Sequence, residues 1–143
     1  MKNDYYSHPS GLQCQDFKHY LPSSIGDALK YIWRAGKKNY PNMTATESAL
    51  ADFDKALNYL NYCKEHGVPE INSAMVNEIV KMLKLMMGNR TKKELTNREL
   101  LIGILTNNDD LDIQIQAVEM TKELVKDCGC LILEERSIDY DEN

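Results

Sequence analysis

Lys30, Arg34 and Lys37 recur at intervals of four and three, Lys38 follows, and no acidic residue lies between positions 28 and 46. On a helix those intervals put the first three cations on one face. Such a stripe is either a solvated face or a place for an anion. Phosphate is the anion that best suits it, because a guanidinium fork matches phosphate oxygens and lysines add point charge. Further on, Asp52, Lys55 and Tyr59 keep helical spacing opposite an apolar stripe. If the two helices pair, a carboxylate, an ammonium and a phenol stand beside the basic face. Tyr31, Trp33 or Tyr59 could then stack on a base, although Trp33 beside Ile32 also has core spacing.

Other chemistries fit less well. A phosphate loop ending at Gly36-Lys37 would need glycine at 31 and Ser or Thr at 38, where the chain has Tyr31 and Lys38. Zinc-type ligands are present as His8, Cys14, His19, Cys63, His66, Cys128 and Cys130, but apart from Cys63 and His66 their intervals are irregular. No structural metal is expected. Cys14, between His8 and His19, is expected to pack rather than react.

With 143 residues, 43% of them apolar, the chain can bury one core. It has no apolar run of the roughly 18 to 20 residues that a membrane helix needs, and its N-terminus lacks a hydrophobic signal region. The expectation is a cytoplasmic protein with reduced cysteines and no membrane association. A net charge of −5 argues against broad nucleic-acid binding. The acidity is lopsided: residues 1–66 hold eight Lys/Arg against seven Asp/Glu, and residues 67–143 hold nine against fifteen.

The elements that must position the basic stripe read as helices. Residues 1–22 look like a loop with one short turn. A helix at about 24–36 starts at Ser23 or Ser24, where Ser24-Ile25-Gly26-Asp27 fits a capping box, and buries Ile25, Ala28, Leu29, Ile32 and Trp33. A second, at about 45–64, starts from Thr44-Ala45-Thr46-Glu47 and stops at Gly67 and Pro69. Together they form an antiparallel hairpin. Further helices follow over Ser73 to Met87, after a Thr96-Asn97-Arg98-Glu99 box, and from about Asp110 to Asp127 with Asp109 or Asp110 as its cap. The last carries more apolar positions than one stripe and suggests burial on two sides or in a homo-oligomer. Leu131-Ile132-Leu133 could form a single short strand, and 134–143 reads as a charged, frayed acidic tail. The fold class is therefore mainly α. Residues 1–66 form a loop and hairpin, 67–133 add helices to the same domain, and at most a short C-terminal strand is present.

Three ordered motifs, His8-Pro9-Ser10-Gly11-Leu12-Gln13-Cys14, the run from Ile25 to Lys38 and the run from Ala51 to Leu60, resemble a phage-encoded nucleotide kinase-like family. The resemblance covers about residues 8–62. It implies a phage origin, a helical fold, homo-oligomer formation and, as in at least one member of a family whose other members mostly have no assigned activity, transfer of phosphate to deoxynucleoside monophosphates without a phosphate loop; ATP is then the candidate phosphate donor, with magnesium. By position it implies a pocket of His8, Ser10, Gly26, Lys30, Tyr31, Arg34, Lys37, Asp52, Lys55 and Tyr59. His8 or Asp52 would be the proton acceptor, and Ser10, Lys30, Tyr31, Arg34, Lys37, Lys55 and Tyr59 would hold the nucleotide. Gln13 stands where the family pattern leads one to expect glutamate, which puts catalysis in more doubt than binding. The alternative is a non-catalytic phage protein that sequesters a nucleotide or a nucleotide-derived host immune signal, or that binds a host protein.

Overall fold

The computed structural model describes residues 4–136, which form six α-helices and no sheet. These are α1 Cys14–Lys18, α2 Ser23–Arg34, α3 Ala45–His66, α4 Ser73–Met87, α5 Asn97–Asn107 and α6 Leu111–Cys128. Short 3-10 turns occur at Asp4–Tyr6, Lys92–Glu94 and Cys130–Glu134. The chain is mainly α, and α2 and α3 form an antiparallel hairpin. Ser24 is hydrogen-bonded to Cys63 near one end of the pair, and Arg34 meets Asp52 near the other. α6 runs antiparallel to α3, with Lys64–Asp112 at 2.9 Å and Asp54–Lys122 at 2.6 Å setting the register. Phe17, Leu29, Ile32, Trp33, Phe53, Leu60, Leu101, Ile102 and Val118 fill the core between these elements.

Capping explains most helix starts. Thr44 with Glu47 opens α3 and Thr96 with Glu99 opens α5, each pair satisfying two otherwise orphaned backbone donors. Asp110 opens α6 by accepting from the backbone of Asp112 and Ile113. The box expected at Ser24 does not form. Pro22 is the residue before α2, so Ser24 already lies in the first turn and turns to Cys63, while Asp27 pairs with Lys18 at 3.3 Å. Gly26 is buried where α1 crosses α2. An added Cβ would lie 3.3 Å from Lys18 Cγ, so this position serves packing.

Three further expectations need correction. The N-terminal loop contains a real helix, α1, whose Phe17 is fully buried. Residues 131–133 lie in a 3-10 turn rather than a strand, because Ile132 and Leu133 pack into the core while the turn wraps the end of α2. The tail is docked at its start: Glu134 bonds Arg98, and Arg136 bridges Thr96. Residues 137–143 lie outside the described part. α6 packs against both α3 and α5, with Val118 and Val125 fully buried, which accounts for most of its broad apolar surface; Ile113 and Met120 remain 43% and 69% exposed.

The C-terminus of α2 is closed by Arg98, whose guanidinium is buried. Nη1 donates to the carbonyls of Ile32 at 2.7 Å and Trp33 at 3.0 Å, and Nη2 donates to Ala35 at 2.7 Å. Nε donates to Glu134 at 2.7 Å. Those helix-end carbonyls have no intrahelical partner, and the helix dipole favours a cation there. The chain then leaves through Gly36 at φ +82°, where a Cβ would lie 3.3 Å from that of Cys130. Arg98→Ala should lower unfolding free energy by about 3–5 kcal/mol in denaturant titrations, because it strands buried carbonyls and breaks a buried network. A loss below about 1 kcal/mol would show that water replaces the clamp.

Candidate functional site

Arg34 leaves the last turn of α2 buried against α3. Its Nη1 donates to Tyr6 Oη at 3.0 Å, and Nη2 donates to Tyr40 Oη at 2.5 Å and to Asp52 Oδ1 at 3.4 Å. Tyr40 Oη is the hub of this cluster. It accepts from Arg34 and from Lys55 Nζ at 3.0 Å, and donates to Asp52 at 2.5 Å. The loop after Gly36 presents Tyr40 in this way because Ser48 accepts its backbone N–H at 2.9 Å. Pro41 and Asn42, the latter at φ +62°, then turn the chain back in the pattern of a type II turn.

Around this hub cations lie over aromatic rings. Lys55 Nζ is 4.5 Å from the Tyr40 ring centroid and 5.4 Å from that of Tyr31. The Arg34 guanidinium carbon is 4.8 Å from Tyr31, Lys30 Nζ is 5.5 Å from Tyr31, and Lys38 Nζ is 5.7 Å from Tyr40. All are within cation–π range. Tyr31 and Tyr59 stack at 5.9 Å with 16° between their planes. Burial opposes the charge on Arg34, but its bond to Tyr6 and the nearby Asp52 hold it above the usual arginine value. Lys55 is likewise raised, chiefly by its hydrogen bond to Tyr40. Both stay cationic. Two buried atoms in the cluster, Arg34 Nε and Asp52 Oδ2, have no hydrogen-bond partner.

Lys30, Tyr31, Arg34, Asp52, Lys55 and Tyr59 thus come together. Asp52 is wholly buried beneath Tyr40, so it holds the cluster rather than facing a ligand. Lys37 lies on the next turn of chain, half-buried, its N–H bonded to Arg34 O at 2.9 Å. Trp33 is in the core with Nε1 donating to Ser7 O at 3.2 Å, which removes it from the stacking candidates. His8 and Ser10 lie in a second network on α5. His8 Nε2 is 2.7 Å from Glu99 Oε2 and its Nδ1 is 2.7 Å from Ser10 Oγ. Gln13 is exposed, so the carboxylate beside the loop histidine comes from Glu99 instead.

Tyr6, Tyr40 and Glu99 were not singled out from sequence. A tyrosine in a short loop that must fold back toward Arg34 is a weak signal for Tyr40. Nothing local marks Glu99 beyond its capping role. Two clefts lie elsewhere, one of about 750 Å³ beside Leu12, His19 and Met82, and an apolar one of about 910 Å³ between α4, α5 and α6. Among the described residues no three His, Cys, Asp or Glu side chains gather as metal ligands would, and no helix is long and apolar enough to cross a membrane. No protein-family model, curated protein or solved structure matches the chain.

Burial would raise the Glu99 carboxyl, but hydrogen bonds from His8, Arg90 and the Thr96 backbone outweigh it and hold the value down at about 2 against an ordinary 4.5. With the folded value below the unfolded one, the stabilisation is complete above 4.5 and fades as pH falls toward 2. Between about pH 6 and about pH 3 the protein should lose about 2 kcal/mol from this group. Denaturant unfolding of Glu99→Gln should lack that component; an equal stability gap to the parent at both pH values would refute it. Burial pushes the Cys14 thiol up to about 12, so iodoacetamide should modify exposed Cys128 well before Cys14, as peptide mass mapping would show.

Proposed function

We propose that this protein binds a nucleotide on the face shared by α2 and α3. The observation that carries the reading is the cation–aromatic cluster: Lys30, Arg34, Lys38 and Lys55 lie over the rings of Tyr31 and Tyr40, in a chain of net charge −5. Tyr31 and Tyr59 offer aromatic surface for a base, and the lysines and Arg34 offer charge for phosphate. The buried Arg34 Nε, unpartnered among the described residues, also favours a polar ligand, since buried unsatisfied atoms are costly.

Phosphoryl transfer from ATP to a nucleoside monophosphate is the reaction implied by the resemblance of residues 8–62. The cations support it, because such transfer needs positioning and charge neutralisation above all. Magnesium would accompany the phosphates. Sequestration without turnover is the second reading, favoured by the burial of Asp52, which leaves that candidate proton acceptor out of reach. We extend the proposal to a homo-oligomer, supported by the exposed Met120 and Leu85, at 69% and 57%.

Lys55 is the better residue to vary, because removing Arg34 would leave Asp52 buried without its ion-pair partner. Calorimetric titration with a panel of nucleoside mono-, di- and triphosphates should find a ligand whose affinity falls at least about tenfold in Lys55→Ala. Mass spectrometry of the same panel with ATP and magnesium then separates the readings. New diphosphates mean transfer, and an unchanged panel with one nucleotide retained means sequestration. If nothing binds, the proposal fails.

A further inference from the structure

Ser10 sits at the third position of a tight turn, His8-Pro9-Ser10-Gly11, closed by Gly11 N–H donating to His8 O at 2.9 Å. Pro9 suits the second position. Gly11 takes φ +93° with nothing within 4 Å of where its Cβ would be, so the turn is open to approach. The His8 ring folds back over Ser10. Its Nδ1 receives the Ser10 backbone N–H at 3.0 Å and lies 2.7 Å from the Ser10 hydroxyl. A backbone N–H can only donate, so this geometry assigns Nδ1 as an acceptor and puts the ring hydrogen on Nε2. Nε2–H then donates to Glu99 Oε2 at 2.7 Å. Glu99 is buried and takes both Nη atoms of Arg90, at 2.8 and 2.7 Å, and the Thr96 N–H at 2.9 Å.

We propose that Ser10 is a nucleophile toward phosphorus, with His8 as its general base and Glu99 as the positioning carboxylate. The arrangement has the three relations such chemistry requires: a hydroxyl aimed at an unprotonated nitrogen, a base within reach, and a third group fixing the base. A tether between the turn and α5 would need only the His8–Glu99 contact. The turn's own donors point to phosphorus rather than a carbonyl. Ser10, Gly11 and Leu12 N–H are bonded to His8 Nδ1, His8 O and Ser10 Oγ, so none of these three is left to hold a carbonyl oxyanion. Phosphoryl transfer passes through a loose transition state with its charge spread over three oxygens that are already anionic, so it does not need a new oxyanion pocket from the turn.

The substrate class is a phosphate monoester or anhydride, with water as co-reactant. Ser10 Oγ bonds to phosphorus as the bond to the leaving group breaks and its electron pair departs with that group. The hydroxyl proton passes to His8 Nδ1, Glu99 steadies the imidazolium, and the leaving group, in line on the far side of phosphorus, takes its proton from solvent. Water then attacks the phosphoserine from the face opposite Ser10 and gives its proton to solvent, while His8 returns the proton it holds to the departing Ser10 Oγ. Phosphate and the free serine result. This inference does not depend on nucleotide binding at α2 and α3.

A fluorophosphonate probe tests it on the full chain, since attack by Ser10 expels fluoride and leaves a stable adduct. Peptide mass mapping should place the adduct on Ser10. It should be absent in Ser10→Ala, and its rate should fall at least about tenfold in His8→Asn and Glu99→Gln. Ser10→Ala keeps the His8–Glu99 contact and gives up only the bonds of its hydroxyl to His8 Nδ1 and the Leu12 N–H, so it should remain folded with a small fall in unfolding midpoint, which separates chemistry from folding. An adduct on another residue, no adduct at all, or a rate unchanged in His8→Asn would each overturn the assignment.

Discussion

The fold depends on one buried guanidinium. Arg98 projects from the first turn of α5 into the end of α2 and gathers three backbone carbonyls there, with Glu134 behind it. A helix end buried without partners would leave those acceptors unsatisfied, at a penalty of about 1–3 kcal/mol each. Lysine has no planar fork to reach several at once. The clamp joins α2, α5 and the C-terminal turn at one point. It also fixes where α2 stops, and hence the directions of the two residues just before the stop. Trp33 enters the core and Arg34 enters the polar cluster on α3.

Burying Arg34 and Asp52 side by side is not an economical way to stabilise a protein. Desolvation of the two charges roughly cancels their attraction, and apolar residues of similar volume often do as well or better. Here the pair also leaves two polar atoms unsatisfied and draws Lys55 and Tyr40 into the same small volume. That an acidic chain nonetheless concentrates cations over aromatic rings in one place is what the proposed ligand site would account for. The His8, Glu99 and Arg90 network invites the same comparison. Its carboxylate is fully hydrogen-bonded and strongly acidic, so it rewards folding at neutral pH while holding the imidazole in one tautomer.

Much of the architecture was legible because its signals are local. The starts of α3, α5 and α6 follow from Thr44, Thr96 and Asp110, whose side chains reach only two or three residues ahead. The span of α4 follows from its apolar spacing and Gly88, and the pairing of α2 with α3 from complementary stripes. The local signals failed where a residue had a distant option. Ser24 has the right spacing for a cap, but Pro22 starts the helix earlier and Cys63 takes the hydroxyl. Leu131 to Leu133 were too few to choose a conformation for themselves, and the core against which Leu133 packs chose it.

The same division runs through the two polar networks. The sequence alone determined that Lys30, Arg34, Lys55, Tyr31 and Tyr59 would lie on two facing helix surfaces, because helical periodicity fixes which residues share a face. Only the tertiary structure decided that Tyr40 would sit between Arg34 and Lys55, that Asp52 would be sealed beneath it, and that His8 would meet a carboxylate 91 residues away. Those placements come from loop closure and from the packing of α5 against α2, and neither leaves a periodic trace in the chain.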